Sequence, residues 1–227
     1  MPIWLNHHVQ GNGEMRRATL RNRRFVLGGL GAAAALGGLL RPAAALVPTP
    51  RQTKGPFYPL TLPLDKDNNL VRVDGAAQQA LGTVTHVAGR VLDLNGRPVP
   101  GARVEIWQCD ANGRYHHPGD RNSAPEDEAF QGYGETLSDA AGAYRFRTIK
   151  PVPYPGRTAH IHFAISGPGF DPLVTQMYVA GEPGNARDGI LNRIDAAARE
   201  RVIVALSPAP EIEADALKGT FDIVLEV

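Results

Sequence analysis

The stretch Thr83-Val84-Thr85-His86-Val87-Ala88-Gly89-Arg90-Val91-Leu92, the turn Asp93-Leu94-Asn95-Gly96-Arg97-Pro98, and then Ala102-Arg103-Val104-Glu105-Ile106-Trp107-Gln108 decide the fold. Apolar and polar residues alternate one by one in both apolar runs, as in strands buried on one face. The intervening Asp, Asn, Gly and Pro are turn formers. The pattern repeats downstream. A turn at Asp110-Ala111-Asn112-Gly113 precedes Arg114-Tyr115, and Ser138-Asp139-Ala140-Ala141-Gly142 precedes the alternating Ala143-Tyr144-Arg145-Phe146-Arg147-Thr148. Residues 158–166, 174–180 and 219–227 supply three more strands, and only residues 188–201 carry a helical pattern. Short strands separated by turn residues predict an all-β fold, an antiparallel β-sandwich with long loops and little helix.

Composition agrees. The 227 residues are 43% hydrophobic, enough for a core, and 25 glycines and 19 prolines fall between the apolar runs. The net charge of +1 gives no electrostatic case for nucleic acid. The single cysteine, Cys109, excludes an internal disulfide and a Cys-x-x-Cys site, and reads as a small buried hydrophobe.

Residues 1–45 read as an address rather than as fold. Arg16, Arg17, Arg21, Arg23 and Arg24 precede Phe25-Val26-Leu27, and an uncharged Gly/Ala/Leu run follows over residues 28–40. That run is shorter than the about 20 apolar residues of a spanning helix. Ala43 and Ala45 fit a small-x-small cleavage site. Arg23-Arg24 resembles a twin-arginine export signal, which carries proteins already folded. The expectation is an exported, periplasmic protein without a membrane anchor after processing, with Met15 a second candidate start. The domain then occupies residues 46–227, opening on a proline-punctuated lead-in that wraps the surface; residues 65–74 read as polar and turn-like.

The sharpest chemical feature is His160-Ile161-His162 within an apolar strand. Side chains at i and i+2 leave one face, so both imidazoles can reach one ion. Several completions are open. Structural zinc wants four Cys or His ligands. An Fe(II) triad wants a carboxylate, for which Glu105, Asp110, Glu135 and Asp139 are candidates. Tyrosine is the remaining donor: Tyr154 lies in the stiff loop Val152-Pro153-Tyr154-Pro155-Gly156, and Tyr115 follows an Asn-Gly turn beside His116 and His117. Phenolates are hard anionic donors suited to Fe(III).

The runs Gly89-Arg90-Val91, Gly96-Arg97-Pro98-Val99-Pro100-Gly101-Ala102, Glu105-Ile106-Trp107-Gln108 and Gly113-Arg114-Tyr115 resemble the intradiol ring-cleavage dioxygenase family. So do Thr53-Lys54-Gly55-Pro56-Phe57-Tyr58, Tyr154-Pro155-Gly156-Arg157-Thr158-Ala159-His160-Ile161-His162-Phe163 and Thr175-Gln176-Met177-Tyr178. The resemblance implies Fe(III) held by Tyr115, Tyr154, His160 and His162, and a catechol-type substrate cleaved with O2 to a cis,cis-muconate. It implies that Tyr154 is displaced by the substrate and takes a substrate proton. Arg157 would stabilise negative charge on the ring, and Gln176 would contact the substrate or the oxygen intermediate. Arg114 and Arg157 are the candidate anchors for a substrate carboxylate. Family assemblies include homodimers and pairs of catalytic with non-catalytic subunits; a chain with all four ligands fits a homo-oligomer. The spacer between Tyr154 and Arg157 is shorter than in familiar cytoplasmic members, which leaves the substrate open. A different class also fits residues 89–108: a transthyretin-like β-sandwich that binds a partner without catalysis.

Overall fold

The computed structural model describes residues 46–227, so the export signal expected over residues 1–45 lies outside the described residues. Six strands form the body: β1 (Val84–Leu92), β2 (Arg103–Trp107), β3 (Tyr133–Leu137), β4 (Ala143–Ile149), β5 (His160–Ser166) and β6 (Leu173–Val179). Four short strands follow a single four-residue helix, α1 (Ala196–Arg199): β7 (Ile203–Val204), β8 (Ser207–Pro208), β9 (Leu217–Thr220) and β10 (Ile223–Val224).

One sheet is built on β1, which pairs with β4 on one side and with β9 and β10 on the other; the second runs β3-β2-β5-β6-β7. Val87, Val91 and Phe146 of the first meet Val104, Ile106, Ile161, Phe163, Ile165 and Met177 of the second in one core. Each of these is at most 1% exposed, and full burial of such side chains is worth about 1.5–3 kcal/mol apiece. The all-β sandwich is therefore present. Pairing is antiparallel within the body but parallel for β1–β9, β1–β10 and β6–β7, so both sheets are mixed.

Three departures from the sequence reading have identifiable causes in the packing. The strand expected over 219–227 is broken at Phe221-Asp222. There the Phe221 carbonyl turns toward Gly89 and accepts the Tyr144 hydroxyl. A Cβ on Gly89 would lie 1.9 Å from that oxygen. Strand β3 was not anticipated, because Gly134 interrupts its pattern. A Cβ there would meet the Asp67 carbonyl at 2.5 Å, the point where the lead-in crosses the strand. The turn-like segment 65–74 accordingly drives Leu70 and Val71, both fully buried, into the core.

The helix expected over 188–201 shrinks to α1 and flanking single turns of tighter 3₁₀ helix. Asp188 accounts for this. Its Oδ1 accepts the backbone N–H groups of Ile190 (3.0 Å) and Leu191 (2.9 Å), closing a local turn that competes with a regular helix. Its Oδ2 accepts Arg157 Nε (2.8 Å) and the Thr158 N–H (3.1 Å). Burial alone would raise this carboxyl. The Leu191 N–H, the Arg157 guanidinium and the Thr158 N–H instead hold it below its ordinary value.

Two outcomes follow for stability. Gly89→Ala should cost about 3 kcal/mol, the upper end for overpacking, read as a lowered denaturation midpoint with an unchanged m-value. Asp188→Ala strands a buried guanidinium and should cost about 3–5 kcal/mol. Because the folded carboxyl is depressed, its contribution is complete above the ordinary 3.8 and is lost as pH falls through the folded value. Urea titrations at about pH 7 and about pH 2 should therefore show the wild-type advantage shrinking in acid; an equal gap at both would exclude a role for the charge.

Candidate functional site

Strand β5 is central in its sheet and is buried on both faces. Ile161, Phe163 and Ile165 enter the sandwich core, which sends His160 and His162 to the opposite face. Cross-strand register sets Trp107, His162 and Gln176 side by side on β2, β5 and β6, with His160 opposite Tyr178. This outer face is covered by the lead-in and by the loop between β2 and β3. Phe57 stacks on Tyr115 (4.8 Å between ring centroids), and a Cβ on Gly55 would lie 3.3 Å from His162 Cε1.

The two imidazoles are 1% and 2% exposed, with their Nε2 atoms 3.2 Å apart. His160 Nδ1 lies 2.6 Å from the Thr158 carbonyl. A carbonyl only accepts, so Nδ1 carries the proton and Nε2 presents its lone pair. Burial, reinforced by the positive charge of Arg157, pushes His160 down to about 4. Burial and the neighbouring His160 hold His162 well below its ordinary value. Both rings are thus neutral near pH 7. His162 also stacks on Trp107, 4.8 Å apart and 8° from parallel.

Tyr154 and Arg157 are placed by one tight turn. The Arg157 N–H donates to the Tyr154 carbonyl (2.9 Å), with Pro155 at the first central position and Gly156 at φ +85° at the second. That is the type II geometry, for which Pro then Gly is the favoured pair. The short spacer noted in the sequence is this turn. Tyr154 meets His160 and Tyr115 at 5.4 Å each, and Tyr115 lies 6.4 Å from His162, so the four rings close a circle. The Tyr115 hydroxyl is buried without a hydrogen-bond partner. Burial pushes both phenols above their ordinary value, with Arg157 opposing the rise at Tyr154.

Arg157 is fixed on three sides. Beyond Asp188, its Nη2 donates to Gln176 Oε1 (2.6 Å) and lies 3.3 Å from the Tyr178 hydroxyl. Gln176 Nε2 donates to the Thr53 carbonyl (3.1 Å). Gln176 is therefore brought to the site, but with its amide spent on holding Arg157 and the lead-in rather than free for a ligand. Arg114 is not available either: it donates to the Ala124 carbonyl (2.7 Å) and braces the loop against Glu126. His116 and His117 are half-buried beside Phe130 and Phe57, outside the ring of four.

Carboxylates do not complete the histidine pair. Glu105 accepts from Tyr58 and Tyr133, Glu135 pairs with Arg103 and Lys66, and Asp110 and Asp139 accept backbone N–H groups. Among the described residues, no three His, Cys, Asp or Glu side chains are arranged to hold an ion. The sequence reading missed Asp188 and Tyr178. Tyr178 was legible as the residue two beyond Gln176 on one strand face. Asp188, in an irregular segment, carried no signal.

The dioxygenase family model matches residues 53–227. The chain is 40% identical over 197 residues to the protocatechuate 3,4-dioxygenase beta chain of Burkholderia cepacia, covering 81% of this chain and 83% of that one. It is 36% identical over 147 residues to a hydroxyquinol 1,2-dioxygenase of Corynebacterium glutamicum, covering 57% of this chain but 45% of that protein. Among solved structures, it resembles the dioxygenase domain of a dioxygenase carbohydrate-binding protein fusion from Streptomyces sp. SirexAA-E. That match has a TM-score of 0.62 at 31% identity, covering 80% of this chain and 99% of that one. These matches set aside the non-catalytic transthyretin-like module. The chain belongs to the intradiol ring-cleavage dioxygenases, a family of non-haem iron enzymes.

Proposed function

We propose that residues 46–227 form a catalytic domain that holds ferric iron through Tyr115, Tyr154, His160 and His162 and cleaves a catechol-type ring between its hydroxylated carbons to a cis,cis-muconate-type product. The observation that carries this is the pair of neutral imidazole nitrogens 3.2 Å apart, ringed by two phenols and no carboxylate. Metal–imidazole bonds of about 2.1 Å set adjacent ligand nitrogens roughly 3 Å apart. The orphaned Tyr115 hydroxyl is a donor atom of the right hardness for a high-charge ion. Bound ferric iron supplies Lewis acidity and accepts electron density from a catecholate, which opens the ring to O2.

The chain's own residues do the rest. Tyr154, on an exposed turn rather than in the sheet, is the phenolate placed to leave and to take a proton from an arriving hydroxyl. Arg157, immobilised by Asp188 and Gln176, sets a fixed positive charge beside Tyr154, where the deprotonated ring would sit. Trp107 fixes the plane of His162. All four ligands come from one chain, so a homo-oligomer would borrow none. The basic and apolar pattern of residues 1–45 supports export of the folded, loaded domain to the periplasm.

Trp107 is the only tryptophan of residues 46–227, which gives a direct readout. Loading ferric iron should quench its fluorescence and produce a broad visible tyrosinate-to-iron band, which anaerobic catechol should move to longer wavelength. Tyr154→Phe should lower kcat/KM by about 10²–10⁴-fold, and Tyr115→Phe should weaken the band. A protein that stays colourless with unquenched Trp107 would sink the ligand assignment. For export, replacing Arg23 and Arg24 together by Lys should leave the protein in the cytoplasmic fraction of its host; unchanged secretion would exclude the twin-arginine route.

A further inference from the structure

A cavity of about 560 Å³ opens beside the Tyr154–Arg157 turn. Pro56, Phe57, Pro155 and Ile190 line it, with Tyr154 and Arg157 its catalytic side. Cavities of about 300–1,000 Å³ enclose drug-sized ligands, so a single-ring diol would leave most of this space empty.

The cavity is preformed. Pro155 and the positive-φ Gly156 lock one wall, and Pro56 stiffens another. Opposite, Asp188 holds the Ile190 N–H at 3.0 Å and so fixes that side chain's position relative to Arg157. Polar groups at the rim are largely engaged. The Asp120 carboxylate accepts the Tyr115 and Asn122 N–H groups, and the Asn122 amide donates to the Gly113 carbonyl (2.8 Å). Arg157 commits its Nε to Asp188 and its Nη2 to Gln176 and Tyr178. Carbon surface is what the cavity mainly offers, with the exposed Arg121 at its edge.

We infer that this cavity is a substituent subsite that takes an apolar alkyl or aryl group carried on the ring of the catechol whose hydroxyls reach Tyr154 and the histidine pair. The inference rests on the proposed iron and catechol site and adds the class of substrate: a catechol with an apolar side chain rather than the bare or carboxylated ring. The physical term is removal of that side chain from water against Phe57, Pro155 and Ile190. Each buried methylene should tighten binding about fourfold.

The test is anaerobic calorimetry of the iron-loaded protein with catechol and with catechols bearing methyl, butyl or hexyl groups para to one hydroxyl, each followed in parallel by the visible band. Protocatechuate serves as the charged arm. Affinity should rise from methyl to butyl, which adds three methylenes, by about sixtyfold, with no such gain for the carboxylate. Ile190→Trp, which fills the cavity, should flatten the series; the wild-type series decides the matter even where that variant fails to fold. A band that shifts with catechol but affinities that ignore chain length, or that favour the carboxylate, would overturn the subsite alone. A band that does not shift with any catechol would overturn the iron and catechol reading, and the subsite with it.

Discussion

One buried carboxylate, Asp188, joins the pieces on which the site depends. It binds the guanidinium of Arg157, the backbone of Thr158 at the entry to β5, and the backbone of Ile190 and Leu191. Thr158 in turn orients His160 through its carbonyl. A charge out of water is tolerated only when paired and fully hydrogen-bonded, and here four donors surround two oxygens. The same device recurs where the loop between β2 and β3 must stay compact without regular structure. Asp110 gathers the N–H groups of Asn112, Arg114 and Asp127, and Asp120 those of Tyr115 and Asn122. Irregular backbone can lie over the outer face of β5 because carboxylates replace the hydrogen bonds that a helix or sheet would have made.

The division of labour between the two faces of β5 explains how one strand serves both core and chemistry. Period-two geometry commits Ile161, Phe163 and Ile165 to the sandwich, and the same commitment aims His160 and His162 away from it. A one-residue slip would exchange them, so the pairing of β5 with both β2 and β6 fixes the histidines as firmly as it fixes the core. The low basicity of the two imidazoles follows from that placement: desolvation dominates, and Arg157 reinforces it at both rings.

Much of this was legible in the sequence where a residue's role is set by its near neighbours. Alternation gave β1, β2, β4, β5 and β6, and the prolines of residues 152–156 marked the stiff loop that carries Tyr154. The convergence of Tyr115 with Tyr154, His160 and His162 was reached by family resemblance, since spacing alone does not bring a loop 45 residues upstream of His160 onto the same face. What could not be read depends on distant partners. Strand β3 is stable because the lead-in crosses at Gly134, β9 and β10 divide because the Phe221 carbonyl turns into the space left by Gly89, and the would-be helix after Asp188 yields to a side chain bound elsewhere. Gln176 was expected to face a ligand. It lies opposite His162 on β6, and its amide is committed to Arg157 and Thr53, a fact of tertiary packing.

The late strands also bear on how the chain is assembled in time. The middle of the first sheet, β1, has β4 on one flank but finds its other partners only in residues 217–224, and Val224 exchanges hydrogen bonds with Thr49, 175 positions earlier. Contacts so remote in sequence close slowly, because the loop entropy is lost before the contact rewards it. A nascent chain that has made β1 through β6 therefore holds a histidine-bearing sheet beside a half-finished partner. The seam that joins the lead-in to the far end of the domain can close only after synthesis has passed residue 224, so a truncation before that residue would leave Thr49 without its partner as well as β1 without its second flank.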